Sequence, residues 1–109
     1  MKQLRQMLGD ELMTKILPDR DNYPEGFFKW LQLNDEIWEM FEDYALRMAI
    51  HRKRFAARTI IEVMRWNNTI KQKGDPTFKI SNNMIPGMAR LWMAKYGHKY
   101  TKFFHIKEG

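Results

Sequence analysis

The chain has 109 residues, 44% of them hydrophobic, and a net charge of +6, which suits one domain with a single core and no covalent staples. With no cysteine, it offers no disulfide, thiolate metal site or cysteine nucleophile. No apolar run approaches the roughly 18 residues of a membrane span, and the opening MKQLRQMLGDEL lacks a signal-peptide block, so residues 1–109 read as one soluble, cytoplasmic helical domain.

The net charge hides a segregation. Residues 1–50 hold six Lys/Arg against ten Asp/Glu, a balance of −4, whereas residues 51–109 hold thirteen against three, a balance of +10. A surface with that asymmetry favours a polyanionic partner, unless the two halves pack together and neutralise each other.

Taken in order, Leu4, Met7, Leu8, Leu12, Met13 and Ile16 recur at helical spacing and predict an N-terminal helix over 2–17, interrupted only by Gly9. Pro18 ends it, and 19–26 reads as a breaker-rich loop. Residues 1–26 are then either a docked helix with its loop or an accessory arm. Phe27, Phe28, Trp30, Leu31 and Leu33 predict a short buried helix. Asn34 follows as an N-cap, with Asp35 and Glu36 at the positive end of the next helix. That helix, to Ile50, puts Ile37, Trp38, Phe41, Tyr44, Ala45 and Met48 inward and Asp35, Glu36, Glu39, Glu42 and Asp43 on a solvated face.

His51, Arg52, Lys53 and Arg54 come next. They complement the negative end of the preceding helix dipole. Joined to a following helix by a short link, they also fit the corner of a helix-turn-helix that meets phosphates, although the usual glycine of the turn is missing. The helix over 55–72 is expected to be central. Arg58, Glu62, Arg65 and Thr69 form its one polar ridge, with Phe55, Val63, Trp66 and Ile70 on one flank and Ala57, Ile60, Ile61 and Met64 on the other, both needing neighbours. Arg58 and Glu62, four apart, are spaced for an intrahelical pair.

Gly74 and Pro76 break the chain, and residues 78–80 alternate enough for one short β segment. Ser81, Asn82 and Asn83 are cap formers, and Pro86 suits the first turn of a helix running to Tyr96. Asn82 and Asn83 at that N-terminus either cap it, hold phosphate or read adenine. Pro86, Gly87, Arg90 and Ala94 make a strip narrow enough for close approach of another backbone, a helix or DNA. Beyond Gly97 the tail interleaves Lys99, Lys102 and other cations with Tyr100, Phe103 and Phe104. That mixture either anchors the tail in the core or holds single-stranded nucleic acid.

Catalytic and metal patterns are missing. His51, His98 and His105 are scattered, no phosphate loop or nucleophile elbow occurs, and the nearest nuclease-like set is Glu62, Asp75 and Lys79 without a strand to frame it. No enzyme, cofactor or metal site is expected.

The blocks Phe28-Lys-Trp-Leu through Asn34 and Ile37-Trp38, Ala57-Arg58-Thr-Ile-Ile-Glu-Val-Met-Arg65-Trp66, Phe78-Lys-Ile-Ser-Asn-Asn83, Ala89-Arg90-Leu-Trp92-Met93 and Phe103-Phe104 resemble a group of small uncharacterised proteins encoded by bacteriophages and prophages. The resemblance covers Phe27 to Phe104 and implies a viral origin and action in the host cytoplasm. The first 26 residues lie outside it.

The expectation is therefore an all-α bundle of about four to five helices. It is a non-enzymatic phage accessory protein that binds nucleic acid, DNA favoured, through its basic half. Arg52, Lys53, Arg54, Arg58, Arg65, Lys99 and Lys102 are the phosphate contacts, and Asn82, Asn83 and Arg90 the closer readers. The alternative is an adaptor or inhibitor bound to a host defence complex or other host machine. A homodimer stays open under either.

Overall fold

A computed structural model describes residues 3–71 and 82–106, with backbone alone for 68–71. Gly9, at φ 84° and ψ 158°, splits the expected N-terminal helix into α1 (Leu4–Leu8) and α2 (Asp10–Ile16). A side chain rarely adopts that φ, and glycine adopts it freely. The break lets both pieces follow the core, so Leu8, Leu12, Met13 and Ile16 are all buried with residues from the rest of the chain. The expected loop is largely a 3-10 helix, Leu17–Asn22, with Pro18 in its first turn.

Then come α3 (Phe27–Leu33), α4 (Asp35–His51), α5 (Ala57–Lys71) and α6 (Ile85–Tyr96), so the fold is all-α, and no strand occurs among the described residues. The segment 78–80 lies outside them. Nor is any described helix long and apolar enough to cross a membrane. Asn34, the single residue between α3 and α4, does not cap α4 with its side chain. Its Nδ2 donates to the Trp30 carbonyl at 2.9 Å, satisfying an orphan acceptor at the end of α3 instead.

The inner face of α4 carries Ile37, Trp38, Phe41, Ala45 and Ala49 as its buried residues. One expected surface acid turns inward: Glu42 accepts hydrogen bonds from Lys95 and, at 2.8 Å, from the Tyr96 hydroxyl. Burial of that carboxylate is sustained because both partners lie on α6. The two flanks of α5 differ. Ile60, Ile61 and Met64 are buried, whereas Val63 and Trp66, expected to find neighbours, are 40% and 67% exposed and face outward with Arg58 and Glu62; Phe55 of the same flank packs on Phe103. Glu62 pairs with Arg65 at 3.0 Å and not with Arg58.

The most enclosed helix is α6. Ile85, Gly87, Met88, Ala89, Leu91 and Trp92 are buried against α2, α4 and α5. The small strip around Gly87 is used for close approach inside the fold, because a Cβ there would lie 2.5 Å from Cδ1 of the buried Phe27 ring. Gly87→Ala is expected to destabilise the domain by about 1–3 kcal/mol through overpacking, read as a lower denaturant midpoint with an unchanged slope.

Candidate nucleic-acid interface

The site begins where α4 ends. Arg52 leaves the helix at φ −134° and ψ 144°, its N–H still bonded to Met48 O at 2.9 Å. The link to α5 is fixed at its apolar end. Phe55 N–H donates to Phe103 O at 3.0 Å, and the two rings lie nearly parallel with centroids 6.4 Å apart. Ala56 O then starts α5 by accepting from Thr59 N–H at 3.0 Å. Held at Phe55, the link leaves Arg52, Lys53 and Arg54 exposed.

The tail arrives at the same corner. After α6, Tyr96 O accepts from both Lys99 and Tyr100 N–H at 3.0 Å, and Tyr100 O accepts from Phe103 N–H at 3.2 Å. Within this turn Lys102 has φ 60°, the one positive φ outside glycine among the described residues. That conformation costs such a residue about 1–2 kcal/mol, and it is held in place by the anchor that follows. Phe103 and Phe104 are 1% and 2% exposed and pack on Trp92 with centroids 5.2 Å away. Anchoring rings and exposed cations thus alternate in one turn.

Together the two segments wall a groove of about 530 Å³. Arg52, Lys53 and Arg54 come from the link and Lys99 and Lys102 from the tail, with Ala49, Ile50 and Tyr100 among them, and no Asp or Glu among the described residues lines it. Ile50 at its lip is 68% exposed. Among the described residues, Arg52, Lys53, Arg54 and Lys102 make no ion pair, while Lys99 lies 5.6 Å over the Tyr100 ring. Five cations around a concave surface concentrate positive potential and attract an anion.

The other sequence candidates lie elsewhere. Arg58 is exposed on α5 but does not line the groove. Arg65 is engaged by Glu62 and donates to Asn82 Oδ1 at 2.8 Å. Asn82 and Asn83 form a 3-10 turn ahead of α6, and Asn83 is also partnered. Arg90, its side chain 18% exposed, pairs with Asp19 at 3.1 Å and lies over the Tyr23 ring. These polar groups hold the fold's own elements together. Asp75 and Lys79 of the nuclease-like set lie outside the described residues, and no metal-holding group of His, Asp and Glu occurs among those described.

Beside Arg90, the Tyr23 hydroxyl is buried with no hydrogen-bond partner among the described residues. Burial first, and the Asp19 charge second, push its pKa upward against the pull of Arg90. Burial and the hydrogen bond to Glu42 do the same at Tyr96. Both phenols stay protonated in the fold above pH about 10, where unfolded tyrosines ionise. Their contribution is therefore full below pH about 10 and lost as pH rises beyond it. Denaturant midpoints measured from pH 8 to 11 are expected to decline at the alkaline end. Tyr23→Phe should soften that decline and, by deleting an orphaned hydroxyl, raise stability at neutral pH by about 1 kcal/mol.

No protein-family model, curated protein or solved structure matches the chain. The candidate interface therefore rests on its own geometry and charge.

Proposed function

We propose that this chain is a non-enzymatic nucleic-acid-binding protein, a phage accessory protein acting in the host cytoplasm, and that the basic groove is its interface. The phage setting comes from the sequence resemblance. The observation that carries the binding function is the gathering of five cations, from segments more than forty residues apart, around one concave surface with no carboxylate among its described lining. The contrast within the fold supports it: Arg65, Arg90 and Lys95 are matched with Glu62, Asp19 and Glu42, while Arg52, Lys53, Arg54 and Lys102 have no acidic partner among the described residues. Phosphates supply the missing charge.

Fluorescence anisotropy with a labelled mixed-sequence oligonucleotide, across about 50–200 mM salt, tests this. Five phosphate contacts give a log–log slope of about −4.5 on duplex or −3.5 on a single strand, a loss of about 500-fold or 130-fold across that range. Binding indifferent to salt, or none at the lowest salt, overturns the reading. In that event the exposed Trp66 and Val63 of α5 favour the rival function, docking to a host protein complex.

A further inference from the structure

The basic groove continues past its cationic walls. Arg54 and Lys102 also line a second concavity of about 890 Å³, whose other side is built from Phe55, Ala56, Met93, Phe104 and Ile106 among its lining. One pair of cations, neither of them in an ion pair among the described residues, therefore stands between a groove suited to phosphate and a largely apolar trough. We propose that the two act together on single-stranded nucleic acid, phosphates lying on the cations while one unpaired base lodges in the trough. This rests on the reading of the basic groove as a nucleic-acid interface and names the form of nucleic acid it takes.

The argument for a single strand is chemical. A duplex keeps its base faces stacked inside and presents only edges, which are read by hydrogen-bonding groups. Beside Arg54, Lys102 and His105, the trough presents the Phe55 ring with Ala56, Met93 and Ile106, while Phe103 and Phe104 back it from the core; that aromatic, aliphatic and thioether surface gains more from a base face than from an edge. Only an unpaired base offers that face, and every base has one, so the contact tolerates any sequence. The volume falls within the range that encloses a small organic molecule. Its aromatic side is also preset, because Phe55 is stacked on Phe103 and bonded to it through the backbone, so no collapse of the ring into the core is needed before binding.

Three ligands of equal length decide the matter in one anisotropy titration: a single strand, the same strand with abasic sites, and the duplex. The base-bearing single strand is expected to bind tightest, with the abasic strand weaker by about tenfold, the scale of one base stacked on an aromatic platform. Ala56→Leu puts an aliphatic side chain into the trough without changing charge or adding a ring for a base to stack on. It should lower affinity for the base-bearing strand to that for the abasic strand and leave the latter unchanged. Ala56 is exposed and starts α5 through its backbone carbonyl; if the variant nevertheless misfolds, the ligand comparison on the unaltered protein stands alone. Equal binding of base-bearing and abasic strands, or tighter binding of the duplex, overturns the inference while leaving the basic groove in place. Failure of all three ligands to bind removes both.

Discussion

Reversing Arg52, Lys53 and Arg54 to Glu together is expected to lower nucleic-acid affinity by about a thousandfold near 0.1 M salt and to flatten the salt dependence. On the proposed reading three of five phosphate contacts vanish, which removes about 2.7 from the slope on duplex DNA. Each reversal also turns an attraction into a repulsion, at about 1 kcal/mol per charge pair in a water-like medium before screening. The three side chains are exposed and make no ion pair among the described residues, so stability should fall only by about 1–2 kcal/mol, the cost of placing anions at the negative end of α4, and the variant stays folded. A second triple variant separates the groove from bulk charge. Lys15, Arg20 and Lys29 are exposed and do not line the groove, and their reversal changes net charge by the same amount. If that variant loses as much affinity as the first, binding follows net charge and the groove has no special part in it.

How much of this was legible before the structure depends on the range of the forces involved. Periodicity alone located α3, α4, α5 and α6, because an apolar stripe is a local property of the chain. It failed where a residue serves two elements. Asn34 looks like a cap for the helix it precedes, yet its amide turns back to the Trp30 carbonyl. Glu42 belongs by spacing to the acidic face of α4, yet Lys95 and Tyr96 on α6 draw it inward. On α5, Val63 and Trp66 are apolar enough for the core, but neighbours reach only the Ile60, Ile61 and Met64 side.

The same division runs through the site. Arg52 to Arg54 announced themselves as a charge run, and Lys99 and Lys102 as part of a mixed aromatic and cationic tail. Their meeting had no local signature. It is produced by Phe103, whose carbonyl binds Phe55 N–H and whose ring packs on both Phe55 and Trp92. The apolar trough beside them was equally silent, since Ala56, Met93 and Ile106 are unremarkable in sequence and become one surface only when the tail folds back. Arg65, Asn82 and Arg90 show the converse: residue types suited to recognition that the fold uses to join α5, the turn before α6 and the turn after α2.

Trp92→Ala is expected to cause the largest loss of stability in the described core and, through it, to impair the interface. Trp92 is fully buried and lies within 6 Å, centroid to centroid, of Tyr96, Tyr100, Phe103 and Phe104, with its indole N–H directed at Glu42 O, 3.4 Å away. Truncating such a side chain costs about 3–5 kcal/mol, a large share of the 5–15 kcal/mol that holds a domain of this kind together, and Tm should fall by about 12–20 °C. The four rings that lose contact lie at the end of α6 and along the tail carrying Lys99 and Lys102. The variant should therefore show a shallower salt slope even at temperatures where it remains folded, as the tail's cations are no longer held opposite Arg52 to Arg54. Trp92→Phe keeps part of the volume and an aromatic face, so most of the stability and the full slope should return. A Trp92→Ala protein that is destabilised as expected but binds with the native salt slope would show that the tail's place against the link does not depend on this ring.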